Sequence, residues 1–299
     1  MATPLASDLA FIGHVCFDEV IPFEGSPRVA PGSAVLCGAL AAARVGKKVA
    51  VVTRMAAHDE MMILRPMREA GITVQVVPVE CTTFMKVVHP SADVDDRQMY
   101  QIANAGSFAA SDIPDLAVRQ VHLAGITDQE FDLTFLRGMK ARGFRVSADM
   151  QSFVRQVDPA THEISFGDVA DKAAIVALLD MVKLDVVEAK VLTGTDDLER
   201  AALCFEDWGS PETLITRADG VLARVDGKTY WEPFTNRSVV GRTGRGDTTF
   251  AAYMARRLDH DTEESLQFAA ALVSLKMEKA GPFDGTLADV LERMTQGVH

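Results

Sequence analysis

The sequence Gly241-Arg-Thr-Gly-Arg-Gly-Asp-Thr-Thr-Phe250 sets two glycines, Gly244 and Gly246, directly before an amphipathic helix. In that helix Phe250, Met254 and Leu258 recur at four-residue spacing and should face a core. Glycines at such a junction let the backbone approach a ligand closely. The first amides of a helix have no intrahelical acceptor, so they present positive charge to an anion. A phosphoryl group in transfer carries its charge on peripheral oxygens and needs such a cradle. Asp247, at the helix start, is placed to take a proton from an attacking hydroxyl. The plainer explanation is an N-cap aspartate after an ordinary turn, since Asp is a favoured cap.

Outward from this stretch, short apolar runs alternate with helical segments. Leu9–Ile12, Val49–Val52, Val121–Ala124, Val146–Ala148, Val186–Val187 and Thr213–Thr216 read as buried strands. Ala34–Val45 and Glu60–Ala70 read as helices, stopped by Gly46 and Gly71. Asp132–Arg142, Lys172–Leu179 and Leu198–Trp208 read as further helices. Such alternation predicts an α/β fold, a doubly wound and mostly parallel sheet with helices on both faces. Ile72–Gln101, rich in Val, Thr and Met, breaks the rhythm and reads as successive antiparallel strands with a turn near His89–Asp96. With the non-helical stretch Glu19–Val29 it should form a small β lid on a single domain spanning residues 1–299.

Composition narrows the function. The formal charge of −12 repels nucleic-acid phosphate and anionic lipid, so neither is an expected partner. No apolar run approaches the roughly 20 residues of a membrane span, and the N-terminus lacks a signal-peptide layout, so a cytoplasmic protein is expected. Cys16, Cys37, Cys81 and Cys204 form no C-x-x-C pair and imply neither zinc nor a disulfide framework. A dinucleotide-dependent oxidoreductase needs G-x-G-x-x-G after the first strand, but Gly13-His-Val-Cys-Phe-Asp18 supplies one glycine. A P-loop is also missing.

Thr243-Gly-Arg-Gly-Asp247 followed by Thr-Thr-Phe resembles the C-terminal signature of the PfkB, or ribokinase-like, carbohydrate kinases, usually Asp-x-Thr-Gly-Ala-Gly-Asp-Thr-Phe. Gly241 stands where the family has its first Asp, and Arg245 where it has Ala. Further blocks follow in the family's order: Gly13-x-x-x-x-Asp18, Pro31-Gly-Ser-Ala, Gly38 to Gly46, Lys183-Leu-Asp-Val-Val-Glu188 and Thr216-Arg-Ala-Asp-Gly220. They cover nearly the whole chain.

The resemblance implies an ATP-dependent kinase that phosphorylates a hydroxyl of a sugar or polyol. It makes Asp247 the general base, with the amides of Gly244, Arg245 and Gly246 as anion hole. Thr216, Arg217 and Gly220 would lie along the nucleotide. Asp18, Gly32 and Ser33 would face the sugar, a carboxylate accepting bonds from two adjacent hydroxyls. Glu188, with Asp185 in place of the family's Asn, would help hold Mg²⁺ through water. Asp185-x-x-Glu188 also has the spacing of a helix capping box. Pro31 in place of a second glycine stiffens one side of the lid hinge, and the lid is a candidate homodimer surface. Leu36 stands where ribokinases keep a sugar-binding Asn, which argues against ribose. Asp149-Met-Gln-Ser-Phe-Val-Arg155 resembles a segment of inositol-kinase-like members and marks Gln151 and Arg155 as substrate-side groups, against the alternative of a satisfied loop. The competing expectations are a nucleoside kinase of the same fold and a non-catalytic sugar or nucleotide sensor.

Overall fold

The computed structural model describes residues 5–92 and 96–296. In chain order its main elements are β1 (Leu9–Ile12), β2 (Cys16–Ile21), β3 (Arg28–Gly32), α1 (Ala34–Arg44), β4 (Val49–Met55), α2 (Glu60–Glu69), β5 (Thr73–Pro78), β6 (Thr83–Val88) and β7 (Gln98–Ala103). There follow β8 (Gln120–Leu123), α3 (Leu133–Ala141), β9 (Val146–Asp149), β10 (Met181–Asp185), α4 (Val186–Thr193), α5 (Leu198–Asp207) and β11 (Glu212–Thr216). The chain ends with β12 (Gly220–Val225), β13 (Lys228–Pro233), α6 (Arg245–Arg257), α7 (Thr262–Met277) and α8 (Leu287–Gln296).

The main sheet runs β13-β12-β11-β10-β9-β8-β1-β4-β5. From β11 to β5 every pairing is parallel, and β12 and β13 add an antiparallel edge. Alternate residues of each strand serve opposite faces. Leu9, Phe11, Val49 and Val51 pack with α1, α2, α6 and α7. Ala10, Ile12, Ala50 and Val52 pack with α3 and α5. The expected doubly wound sheet is therefore covered on both sides, and Phe250 and Met254 are buried as their spacing implies. Because the strands are parallel, their carboxyl ends lie along one edge, where such sheets bind ligands. Gly13, Asp149, Asp185 and Thr216 all sit at that edge.

A second sheet, β3-β2-β6-β7, stands apart from the main one. The pairs β2–β3 and β6–β7 are antiparallel, and β2–β6 is parallel. It covers a small apolar cluster of Cys16, Met85, Met99, Ile126 and Ile164. Its composition departs from the expected lid. Thr73–Pro78 is the parallel edge strand β5 of the main sheet rather than part of the small sheet, because its Val74 and Val76 pack on the core while alternate residues face out. The small sheet also starts earlier, at Cys16. The turn expected near His89–Asp96 falls partly on residues 93–95, outside the described residues.

The strand expected at Val186–Val187 is instead the first turn of α4, and the strand precedes it as Met181–Asp185. Two adjacent valines read as extended chain, but the capping box at Asp185 and Glu188 starts a helix there. No helix among the described residues is long and apolar enough to cross a membrane.

Candidate active site

Gly244 is the N-cap of α6, with φ of 76°, a left-handed conformation that glycine adopts without strain. A Cβ here would lie 2.6 Å from Cys37 Sγ and 3.9 Å from Asp247 Oδ2. Two residues downstream the wall is cationic. A Cβ on Gly246 would lie 2.8 Å from Lys183 Nζ and 3.8 Å from Thr216 Oγ1. Of the three amides expected to form an anion hole, that of Arg245 donates to the Arg242 carbonyl at 3.1 Å. The Gly246 and Asp247 amides, in the first turn, have no intrahelical acceptor.

Lys183 was not among the residues singled out from sequence. It is 3% exposed, and its Nζ donates to Asp149 Oδ2 at 2.7 Å. Burial alone would depress the ammonium's affinity for its proton, but the surrounding carboxylates of Asp149, Glu188 and Asp247 outweigh it and raise the pKa. Burial pushes the Asp149 carboxyl up, against the pull of Lys183. The signal was available: a lysine between Val182 and Leu184 in a buried strand must be paired.

Two of the residues expected to face the sugar, Asp18 and Gly32, lie on the small sheet. Asp18 lies on β2, where its Oδ1 accepts from the Cys16 thiol at 3.2 Å. Burial raises its pKa, the charge of Asp247 raises it further, and Arg155 opposes the rise. Asp18, Asp247 and Arg155 thus share one electrostatic neighbourhood. Gly32 on β3 is paired with Cys16, and a Cβ on it would lie 1.9 Å from Asp18 Oδ2. Ser33 has φ of 126° and caps α1, its Oγ accepting from the Leu36 N–H at 3.1 Å. Gln151 is buried and its side-chain amide donates to the Gly125 carbonyl at 2.8 Å.

Asp185 and Glu188 form the capping box. Asp185 Oδ1 accepts from the Val187 and Glu188 N–H groups, and Glu188 Oε2 accepts from the Asp185 N–H. Glu188 Oε1 is buried and has no hydrogen-bond partner, with Arg155 Nη2 3.9 Å away. Burial, aided by Asp185, pushes the Glu188 pKa up to about 8. No group of three or more His, Cys, Asp or Glu side chains that could hold a metal ion occurs among the described residues. The orphaned Glu188 Oε1 suits a divalent ion carried mainly by water and phosphate oxygens, as Mg²⁺ prefers.

The residues expected along the nucleotide make contacts with their own neighbours. Arg217 binds Asp219 through two bonds of 2.5 and 2.8 Å and lies 4.6 Å over the Trp231 ring. Trp231 also fills the space beside Gly220, where a Cβ would meet its ring at 2.4 Å. Thr216 is buried at the end of β11, facing Gly246.

The pfkB family carbohydrate kinase model matches residues 8–287. Among solved structures, a pyrophosphate-dependent kinase of the ribokinase family in complex with sulfate is 31% identical, with a TM-score of 0.87, covering 95% of this chain and 99% of its own. A pyrophosphate-dependent kinase of that family, complexed with a pyrophosphate analog and myo-inositol, is 29% identical with a TM-score of 0.86, covering 95% and 99%. A curated relative, the cytidine kinase of Thermococcus kodakarensis, is 27% identical over 256 residues, covering 83% of this chain and 87% of that protein.

Proposed function

The chain belongs to the pfkB family of carbohydrate kinases, phosphotransferases acting on hydroxyl groups, and from that membership we propose that it phosphorylates one hydroxyl of a neutral cyclic polyol of the myo-inositol kind. Asp247 is the general base of this reading. The observation that carries it is the convergence on one helix start of the Asp247 carboxylate, the left-handed Gly244 turn and the buried Lys183 ammonium.

The chemistry follows from that arrangement. A terminal phosphoryl group sits against the Gly246 and Asp247 amides with Lys183 beside it, where its charge is neutralised without reorganisation. Asp18 accepts hydrogen bonds from two acceptor hydroxyls and orients a third toward the phosphorus. Asp247 takes that hydroxyl's proton as the new O–P bond forms. Glu188, through its unpartnered Oε1, would help hold Mg²⁺ by way of water, and the ion would supply positive charge to the donor.

Pyrophosphate is the favoured donor over the ATP expected from sequence. Pyrophosphate offers only charge for recognition, and the buried Lys183 ammonium gives this cradle a cation beside Gly246. Arg217, the cation expected along a nucleotide, is neutralised by Asp219 and stacked on Trp231. The two structural relatives described above that use pyrophosphate support the same choice. A nucleoside acceptor is the second reading. It rests on the cytidine kinase relative.

The test is phosphate-ester formation, followed by phosphorus NMR, with myo-inositol or cytidine as acceptor and Mg²⁺ with pyrophosphate or ATP as donor. An inositol phosphate formed from pyrophosphate is the expected product. Transfer to cytidine alone supports the second reading, transfer from ATP alone overturns the donor choice, and no ester in any combination overturns the reading as a whole.

A further inference from the structure

Lys276, on α7, is 2% exposed, and its ammonium donates to two backbone carbonyls, those of Gly241 and Thr243. Its partners among the described residues are thus two neutral oxygens rather than a carboxylate. These carbonyls lie six and four residues before Asp247, in the strap that leads into the phosphate cradle. The strap is fastened to the same helix end by two further bonds, from the Val240 and Gly241 N–H groups to the Met277 carbonyl at 2.8 and 2.9 Å. Only glycine fits at the crossing, because a Cβ on Gly241 would lie 1.6 Å from the Lys279 carbonyl oxygen. This explains why the acidic residue usual at that point of the signature is missing here.

A trans peptide is planar, so its C=O and N–H point in opposite directions. An ammonium that holds the Thr243 carbonyl therefore fixes the direction of the Gly244 N–H, and one that holds the Gly241 carbonyl fixes the Arg242 N–H. A buried cation on two converging carbonyl oxygens has the donor set that potassium or ammonium ions take in water-poor sites.

We propose that the Lys276 ammonium is a built-in monovalent cation that sets the geometry of the phosphate cradle, and that its removal makes the cradle dependent on a soluble cation of similar size. The proposal rests on the cradle being the donor site. Lys276 is a positioning residue here, acting through the strap and not on the donor itself.

The experiment compares the wild-type chain with Lys276→Met and with Lys276→Gln, which retains a donor group, in sodium, potassium and ammonium buffers of equal ionic strength. Two quantities are read: the rise in melting temperature on adding pyrophosphate, and the rate of ester formation. The wild type should respond alike in all three buffers. In sodium, Lys276→Met should lose about 10- to 100-fold in pyrophosphate affinity, the range for losing charged hydrogen bonds. Ammonium or potassium should recover most of that loss. A folded variant with wild-type affinity in sodium overturns the proposal. So does a folded variant that neither ion rescues. If Lys276→Met does not fold, Lys276→Gln decides by the same criteria. A wild type that binds pyrophosphate but transfers nothing defeats the kinase reading, while the affinity comparison still judges Lys276.

Discussion

The Lys183 ammonium and the Asp149 carboxylate meet at 2.7 Å where β9 ends against the middle of β10, directly beside Gly246. Breaking a buried pair from one side strands the other charge, at a cost of about 3–5 kcal/mol. Lys183→Met should therefore unfold at lower denaturant and lose the thermal shift given by pyrophosphate. Adding Asp149→Leu should restore stability without restoring donor binding. Denaturation curves and pyrophosphate titrations of both variants check this. Recovery of donor binding in the double variant would remove Lys183 from the cradle.

Gly32 is in contact with the Asp18 carboxylate, leaving no space for a methyl group between them. Gly32→Ala should displace Asp18 and lower kcat/KM for the acceptor by about 10- to 100-fold, the value of one or two hydrogen bonds to a charged group. The KM for the donor should stay near its original value, because the group displaced is the Asp18 carboxylate on β2 and not the Gly246 backbone or Lys183. Initial rates with each substrate varied in turn separate these effects, and equal losses on both sides would contradict the assignment of Asp18 to the acceptor.

Much of the fold is legible in the sequence. The alternating apolar runs imply the layered sheet, and the paired glycines before a 3.6-period helix mark the turn at Gly244 that opens α6. The errors have local causes. Val186 and Val187 look extended, yet the capping box of Asp185 and Glu188 that encloses them outweighs their β preference. Thr73–Pro78 alternates like a lid strand because an edge strand of the main sheet is also half exposed. Lys183 and Lys276 escaped notice because a lysine in a one-dimensional pattern reads as surface, and only the fold shows the carboxylate or the carbonyls that make its burial tolerable.

His122 on β8 is buried edge-on to Phe11 and Phe250, at centroid distances of 5.6 and 4.9 Å. Burial, with the Lys183 charge in support, pushes its pKa down to about 3. The folded protein therefore resists protonating a ring that the unfolded chain protonates near pH 6.5. The stability from this depressed pKa is fully present above about pH 6.5 and is lost as pH falls toward 3. One proton taken up on unfolding changes stability by about 1.4 kcal/mol per pH unit, or about 2 kcal/mol between pH 6.5 and 5. His14, also depressed by burial, acts in the same direction. His122→Gln should flatten the acid limb of the stability curve by its own share. Chemical denaturation of both forms at pH 7 and pH 5 measures the difference, and an unchanged slope would show that His122 does not titrate on unfolding.

Asp247 is the residue on which the account most depends. Asp247→Asn keeps the shape of the side chain and removes its basicity. The measurement is kcat for phosphorylation of myo-inositol by pyrophosphate with Mg²⁺, alongside thermal stability and the pyrophosphate-induced shift. The account predicts a loss of about 10²- to 10⁴-fold in kcat, with stability and donor affinity nearly unchanged. A folded Asp247→Asn chain that turns over at close to the wild-type rate would contradict it.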